Sequence, residues 1–343
     1  MIDPPPPPSD RSGTSRPTPS AAPEPALSIV MPALNEERHI AAALASLADD
    51  DPRIREILVL DGGSRDRTRA IVAELARHDP RIRLLDNPGR LQAAAVNRAA
   101  GLADPAATVL VRADCHAVYP SGFAAAAAAR LRAVGADSLV VPLLTAGTAP
   151  LQRAIAATQN SRLGNGGAAH RRPGEGGFVD HGHHAAFDRA VFQRVGGYDE
   201  RFSHNEDAEL DLRLAQAGGR IWLEPALAVT YFPRDRLGAL ARQYFNYGAG
   251  RVRTLRKHRR LPRPRQIAPV LILAGTAAAL AVAPWLPAAL ALPAAYLLLC
   301  CGWGGVAALR RRDPALLAMG PAAVTMHLSW GAGFLRGLAR RAE

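Results

Sequence analysis

The chain has 343 residues, enough for one domain of ordinary size with further segments attached to it. Its formal net charge is +12, but the basic residues gather before apolar segments and are not interleaved with aromatic residues, which disfavours a nucleic-acid-binding protein. The three cysteines, Cys115, Cys300 and Cys301, lack the spacing of a zinc site or a disulfide framework, so the bulk of the chain is expected to be cytoplasmic.

Residues 1–26 come first in chain order and offer almost nothing that a fold could bury. They are rich in Pro, Ser, Ala and Thr, with a five-proline run that begins at Pro4. We therefore expect a disordered or polyproline-like arm. The arm has neither the basic start nor the apolar core of a signal peptide.

Residues 27–250 alternate short apolar runs with helical patterns. Strands are predicted at Leu27–Pro32, Ile54–Leu60, Ile82–Leu85, Thr108–Val111 and Ser138–Val141. Helices are predicted to start at Glu36, with Asn35 as its N-cap, and to cover Arg67–Arg77, Gln92–Ala100 and Phe123–Val134. This alternation predicts an α/β domain with a mostly parallel sheet and right-handed crossovers.

Two carboxylates follow strands of this sheet, at the edge where such sheets bind ligands. Asp61 follows the second strand, in the segment Asp61-Gly-Gly-Ser-Arg-Asp66, which suits a turn before a helix as well as a carboxylate that binds a base or ribose. Asp114 follows the fourth strand in Arg112-Ala-Asp114, a D-x-D metal motif with arginine as its first residue. Asp114, with His116 as a possible second ligand, is predicted to bind Mg²⁺ or Mn²⁺, and a surface turn is the alternative.

Three histidines, His181, His183 and His184, stand close together in the sequence. They suggest zinc at first sight, but no third convergent ligand is evident and Gly182 loosens the segment. A hydrogen-bonding wall for a polar acceptor, formed by His183 and His184, is the preferred interpretation.

A helix is predicted after Asn205, and its first turn carries Glu206, Asp207 and Glu209. Asp207 falls on the side of the buried stripe, and the helix N-terminus favours its anion, which can then accept a hydroxyl proton. Carboxylates that only complement the helix dipole are the alternative. Their density exceeds what capping requires, so a catalytic role is preferred.

The C-terminal part turns basic and then apolar. Residues 251–266 carry eight Lys and Arg residues and no acid, and we interpret them as a juxtamembrane segment. Ile267–Ala283 and Ala288–Leu309 are uncharged and long enough to cross a bilayer. Their basic flanks predict a hairpin with both ends in the cytoplasm. The third apolar segment, Ala315–Leu335, either spans the membrane or lies at its surface.

Several motifs, taken together, resemble the family-2 inverting glycosyltransferases of the GT-A fold. The resemblance covers about Leu27 to Arg265 and rests on Met31-Pro-Ala-Leu-Asn-Glu36, Leu60-Asp-Gly-Gly-Ser64, Arg112-Ala-Asp114, Gly196-Gly-Tyr-Asp199 and Asn205-Glu-Asp207. Three further stretches resemble glucosyltransferases of succinoglycan biosynthesis that act on lipid-linked galactose. These stretches are Gln159–Gly167, Val179–Phe187 and Arg242–Arg251.

The resemblance implies roles for particular residues. Asp61 would contact the uracil or ribose of a UDP-sugar in a pocket lined by Pro32, Asn35 and Glu36, and Asp114 would hold a metal at the diphosphate. Asp207 would act as the catalytic base with support from Glu206. Arg112, Gln243 and Arg251 would also bind the nucleotide sugar, although the Q-x-x-R-W motif of processive relatives is missing, which favours the addition of one sugar.

The predicted function is therefore transfer of a hexose, glucose by the narrower resemblance, from a UDP-sugar to a lipid-linked saccharide in exopolysaccharide biosynthesis. The enzyme would be a multi-pass protein of the inner membrane with a cytoplasmic catalytic domain. Two alternatives stay open from the sequence: a membrane scaffold that binds nucleotide sugars without turnover, and a nucleotidyltransferase.

Overall fold

The computed structural model describes residues 25–166 and 176–340. The predicted arm lies outside these ranges except for Pro25 and Ala26. The strands are β1 (Leu27–Ala33), β2 (Ile54–Asp61), β3 (Ile82–Asp86), β4 (Val109–Arg112), β5 (Ala117–Val118), β6 (Ser138–Val141), β7 (Leu143–Thr145), β8 (Gly177–Val179), β9 (His183–Asp188), β10 (Ile221–Leu223) and β11 (Val229–Tyr231). The helices are α1 (Ile40–Leu47), α2 (Thr68–His78), α3 (Gln92–Leu102), α4 (Phe123–Ala133), α5 (Pro150–Gln159), α6 (Arg162–Asn165), α7 (Arg189–Arg194), α8 (Glu206–Gln216), α9 (Leu237–Lys257), α10 (Pro264–Val282), α11 (Ala291–Arg311) and α12 (Met319–Ala339).

The central sheet has eight strands in the order β3-β2-β1-β4-β9-β6-β10-β8. Four of its neighbouring pairs are parallel and three are antiparallel. The inner parallel strands are buried on both faces, which explains their continuous apolar sequences. All five predicted strands are present with ends that shift by at most one residue, so the predicted α/β fold with a mostly parallel sheet is confirmed.

Strand β9 is the main feature of the sheet that the sequence did not predict. It lies between β4 and β6 and runs antiparallel to both. Its sequence, His-His-Ala-Ala-Phe-Asp, contains no β-branched residue and therefore lacks the usual strand signal. Because neighbouring side chains of a strand point to opposite faces, β9 separates His183 from His184.

The prediction that Asn35 caps a helix at Glu36 was wrong. Helix α1 begins at Ile40, after a turn in which the His39 and Ile40 amides donate to the Glu36 carbonyl. Asn35 adopts a positive φ of 56°, and its side chain accepts from the backbone amide of Arg65. Asn35 therefore joins the loop after β1 to the loop after β2.

The last four helices, α9 to α12, pack against one another. Helices α10 and α11, the latter with the turn that precedes it, are the two described helices long and apolar enough to cross a membrane. Most of their large apolar side chains are exposed, as expected for surfaces that face lipid. Helix α12 covers the third apolar segment and instead buries one side against α9, α10 and α11. Helix α9 continues through residue 250 into the basic segment.

Helices α9 and α12 approach each other closely through glycines. A Cβ atom at Gly333 would overlap the carbonyl oxygen of Phe245, and one at Gly248 would overlap the carbonyl oxygen of Trp330. Small residues at such crossings allow helix backbones to touch.

We expect Gly333→Ala to lower the free energy of unfolding by about 1–3 kcal/mol, because the new methyl group forces α9 and α12 apart. The midpoint of thermal unfolding in detergent should fall by several degrees. The matched control is Gly302→Ala on α11, where a Cβ meets no heavy atom within 4 Å. Equal melting temperatures for the two variants would show that the crossing contributes nothing to stability.

Candidate functional site

The carboxyl ends of β1, β2 and β4 form the edge of the sheet at which the predicted site residues lie. Ala33 at the end of β1 pairs with Asp61 at the end of β2, and Val30 pairs with Arg112 at the end of β4. The parallel pairing therefore brings segments from distant parts of the sequence to one place, as predicted.

Asp61 is buried and shapes the loop that follows it. Its carboxylate accepts from the Gly63 amide at 3.0 Å, from the Ser64 amide at 3.1 Å and from Arg69 Nη1 at 2.9 Å. Burial alone would raise the pKa of Asp61, but the hydrogen bonds from Ser64 and Arg69 lower it further than burial raises it. Asp61 is thus an ionised anchor, and Gly63 supplies the positive φ of 89° that the tight turn requires.

A cleft with about 490 Å³ of empty space opens beside this loop. Four of the predicted site residues line it, namely Pro32, Glu36, Asp114 and His116. The other lining residues are Ala33, Leu34, Asn87, Arg90, Leu91, Gln92 and Cys115. Neither Asp61 nor Asn35 is among them. These two residues instead hold the loops after β1 and β2 in place beside the cleft.

Two polar residues of the cleft were missed in the sequence. Arg90 donates from Nε to the Gly62 carbonyl at 3.2 Å, and Gln92 donates from Nε2 to Asp114 Oδ1 at 2.9 Å. Both follow β3, the third parallel strand at the same sheet edge. Asp86, the last residue of β3, pairs with Asp61 at this edge, so the rule that selected Asp61 and Asp114 applies here too but was not applied to this strand.

Arg112 joins the cleft to the helix that carries Asp207. Its side chain is 4% exposed, and Nη1 donates to Asp207 Oδ1 at 2.5 Å and to Tyr198 Oη at 2.8 Å. Nη2 lies 3.6 Å from Asp114 Oδ1. Burial would lower the pKa of Arg112, but the charges of Asp207 and Asp114 raise it, so the guanidinium stays charged.

His184 supports Asp207 from the buried side. Its Nδ1 lies 2.7 Å from Tyr198 Oη and 3.3 Å from Asp207 Oδ1, and its Nε2 lies 2.7 Å from Asp211 Oδ1. Burial would lower the pKa of His184, but Asp211 and Asp207 raise it to about 9. The side chain has no exposed surface, so His184 is placed to orient Asp207 and an acceptor does not reach it in this state.

His183 faces the cleft side of β9. Its Nε2 lies 3.5 Å from Asp114 Oδ2, and its side chain is 16% exposed. Burial lowers the pKa of His183 to about 4, so the ring is neutral and can exchange hydrogen bonds with a hydroxyl group. Of the two histidines predicted to contact an acceptor, only His183 is accessible.

Asp207 and its neighbour Glu206 occupy the first turn of α8. Burial would raise the pKa of Asp207, but the positive charges of Arg112 and His184 lower it well below its usual range. Burial and the nearby Asp207 charge raise the pKa of Glu206 to about 7. Asp207 is therefore the ionised carboxylate of the pair at neutral pH.

We expect Glu206→Gln to remove part of the pH dependence of stability. The native protein keeps the Glu206 proton up to about pH 7, whereas the unfolded chain releases it above about pH 4.5. The stability that protonated Glu206 gives to the native state is therefore complete below about pH 4.5 and is lost as the pH rises through about 7. The free energy of unfolding of the variant, relative to wild type, should therefore be higher at pH 8 than at pH 5 by about 1–3 kcal/mol. Thermal melts at the two pH values measure this, with Glu74→Gln, exposed on α2, as the control. A constant difference would contradict the raised pKa.

The residues around Asp114 suit a hard cation only if a ligand supplies further oxygens. The described residues contain no group of three His, Cys, Asp or Glu side chains that could hold a metal alone. Asp114 offers a carboxylate to the cleft, and Mg²⁺ or Mn²⁺ needs no more than one or two when phosphate oxygens complete its shell. His116, the predicted second ligand, has its Nδ1 3.5 Å from Glu36 Oε1. Burial would lower the pKa of His116, but Glu36 and Asp114 raise it.

Gln243 and Arg251, both on α9, do not line the cleft. Gln243 donates from Nε2 to Tyr247 Oη at 2.9 Å and to Tyr231 Oη at 3.3 Å, and the Tyr231 ring packs edge-on against His116. Gln243 thus buttresses the cleft wall. Burial, followed by the like charges of Arg265 and Arg263, lowers the pKa of Arg251 to about 10. Arg251 belongs to a basic region beside the start of α10.

Comparisons with known proteins agree with this geometry. Residues 28–196 match the family described as Glycosyl transferase family 2. The chain is 44% identical over 312 residues to the succinoglycan biosynthesis protein ExoA of Rhizobium meliloti, covering 90% of this chain and 94% of the relative. It is 24% identical over 245 residues to a dolichyl N-acetyl-alpha-D-glucosaminyl phosphate 3-beta-D-2,3-diacetamido-2,3-dideoxy-beta-D-glucuronosyltransferase of Methanococcus voltae, covering 67% of this chain and 74% of the relative.

A solved structure shares the fold. The mannosyltransferase PcManGT of Pyrobaculum calidifontis, in complex with GDP-Man and Mn²⁺, superposes with a TM-score of 0.58 at 22% identity. The superposition covers 92% of this chain and 87% of that one. The central sheet and its ligand-binding edge are thus those of a GT-A fold.

Proposed function

The chain belongs to glycosyl transferase family 2 and is a glycosyltransferase, and from this premise we propose that it moves glucose from a UDP-sugar to a lipid-linked saccharide with inversion at the anomeric carbon. The relative at 44% identity is named for succinoglycan biosynthesis, which supports a role in exopolysaccharide synthesis. One observation supports the proposed reaction above all: the guanidinium of Arg112 contacts the proposed base Asp207 and lies next to Asp114, which lines the cleft.

The donor occupies the cleft at the ends of β1, β2 and β4. The nucleoside lies along the wall formed by Pro32 and Glu36, which the loop anchored by Asp61 holds in place. The diphosphate lies near Arg90 and Asp114, and Asp114 would be the residue that holds a divalent cation there. The cation, when bound, neutralises negative charge on the departing diphosphate.

Transfer is a single displacement. Asp207 accepts the proton of the acceptor hydroxyl, whose oxygen forms a bond to the anomeric carbon while the bond from that carbon to the diphosphate oxygen breaks. An α-linked donor thereby gives a β-glycoside and free UDP. His184, itself bonded to Tyr198, holds Asp207 in position, His183 offers a neutral ring to the acceptor, and Arg112 stabilises the charge that develops on the diphosphate.

We infer a lipid-linked acceptor because the apolar helices α10 and α11 belong to the same chain as the sheet edge that carries the site. Helices α10 and α11 form a hairpin across the inner membrane, with Arg265 in the first turn of α10 and Arg310 to Arg312 at the end of α11 on the cytoplasmic side. Helix α12 lies at the membrane surface, packed on α9. The active site therefore opens beside the lipid headgroups.

Mass analysis of membrane lipids after incubation with a panel of UDP-sugars tests the proposal. We expect one hexose to be added with UDP-glucose, together with one equivalent of UDP, in a reaction that chelation with EDTA stops. A scaffold would release no UDP, and a nucleotidyltransferase would release pyrophosphate. Addition of a different sugar would reassign the donor and leave the reaction class intact.

A further inference from the structure

Arg112 occupies the position between the donor cleft and the catalytic carboxylate. Nη1 is committed to Asp207 Oδ1 and Tyr198 Oη, while Nη2 is 3.6 Å from Asp114, a lining residue of the cleft. Within the described part of the chain, the buried Nε atom has no hydrogen-bond acceptor. The guanidinium can therefore still donate hydrogen bonds to a diphosphate that lies in the cleft beside it.

The contact with Arg112 also occupies the carboxylate that the reaction needs. Asp207 Oδ1 receives Arg112 Nη1 at 2.5 Å and lies 3.3 Å from His184 Nδ1. An acceptor hydroxyl that approaches this oxygen must compete with a charge-assisted hydrogen bond, which is about twice as strong as a neutral one. In the donor-free state, Asp207 Oδ1 is thus less available to accept a proton from an acceptor hydroxyl.

A diphosphate is a better partner for this guanidinium than one carboxylate oxygen. It carries more negative charge and several oxygens, and arginine binds phosphate groups through parallel hydrogen bonds. Nη2 already lies 3.6 Å from Asp114, so the guanidinium moves toward a cleft residue that it already approaches. His184, on β9, can keep Asp207 oriented after Arg112 leaves.

We propose that Arg112 is a donor-operated switch: it pairs with Asp207 in the free enzyme, moves to the diphosphate when the nucleotide sugar binds, and thereby frees the base only when the donor is in place. This inference rests on the proposed function, because it requires a nucleoside diphosphate in the cleft. Its consequence is a fixed order in which the donor binds before the acceptor can be deprotonated. Arginine at the first position of the D-x-D motif is what makes the switch possible, because an acid there would repel both partners.

The affinity of the full-length chain for UDP, measured by calorimetry in detergent with Mn²⁺, tests the switch without catalysis. In wild type, part of the binding free energy is used to break the Arg112–Asp207 pair. Asp207→Asn lowers that cost, because the charge-assisted hydrogen bond becomes a weaker one to an amide oxygen, so this variant should bind UDP about tenfold more tightly than wild type. Uridine, which has no phosphate, should bind both proteins equally.

A double-mutant cycle separates the switch from general charge repulsion. In an Arg112→Gln background, Asp207→Asn should leave the UDP affinity unchanged, because no guanidinium remains to be released. A gain that persists in this background, or no gain in the single variant, overturns the switch. If Arg112→Gln does not fold, the same cycle is run with Arg112→Met, and an equal gain for UDP and uridine on Asp207→Asn overturns the proposal in either case.

The outcomes also separate the switch from the function on which it rests. A wild-type chain that binds UDP, combined with an unaltered Asp207→Asn variant, overturns the switch and leaves the transferase proposal standing. A wild-type chain that binds no UDP in the presence of Mn²⁺ overturns the donor assignment and the switch together.

Discussion

Asp207→Asn is expected to lower the rate of sugar transfer by about 10²- to 10⁴-fold, the range over which a positioned general base acts. The amide cannot accept the acceptor proton, yet it can still receive a hydrogen bond from Arg112 Nη1, so the fold and the cleft should persist. The turnover rate under saturating donor and acceptor measures the loss, and UDP should bind at least as tightly as it does to wild type.

The control for this variant is Asp50→Asn. Asp50 is exposed in the loop before β2, at the amino end of a strand whose carboxyl end carries the site. The same chemical change there should leave transfer within twofold of wild type, as surface substitutions usually do. Full transfer by a folded Asp207→Asn enzyme would remove the base from the proposed mechanism.

The positions of Asp61, Asp114 and Asp207 could be predicted because each follows from a local pattern. Apolar runs of strand length place the first two at a sheet edge, and a helical stripe after Asn205 places the third in a first turn. The parallel order of β2, β1 and β4 brings Asp61 and Asp114 to one edge of the sheet, whereas Asp207 is joined to that edge by its ion pair with Arg112.

The partners of these acids could not be read from the sequence. Arg112 and Asp207 are 95 residues apart, and their ion pair depends on the antiparallel insertion of β9 beside β4. The burial of His184 depends on the same strand, because it lies between two strands that the sequence predicts as separate units. No local propensity encodes such a pairing.

Lys257, the only lysine of the chain, shows how the apolar helices are coupled to the site. It lies at the end of α9 and forms ion pairs at 2.6 Å with Asp199 and with Glu209, two residues beyond Asp207 on α8. Asn205 donates from Nδ2 to the Tyr247 carbonyl of α9 at 3.0 Å. The turn that carries Asp207 is therefore held on both sides by α9, the helix on which α12 packs.

Asp114→Asn is expected to lower the affinity for UDP in the presence of Mn²⁺ by about 100-fold, and transfer by about 10³-fold, because a ligand of the cation contributes several kcal/mol through the charge it helps to stabilise. Asparagine preserves the acceptor for Gln92 Nε2 at Asp114 Oδ1, so the wall of the cleft is kept. Electron paramagnetic resonance of Mn²⁺ in the presence of UDP reports the loss of bound metal directly.

His116→Asn is the informative comparison for Asp114→Asn. Because His116 faces Glu36 and the Tyr231 ring, its replacement should weaken Mn²⁺ binding by less than about tenfold, the lower end of what loss of a residue around a metal ligand costs. An equal loss in the two variants would make His116 the second ligand. If Asp114→Asn instead retains Mn²⁺-dependent UDP binding, Asp114 is not the ligand of the cation and other residues must bind it. Arg112 and Arg90 would then be the charges that hold the diphosphate.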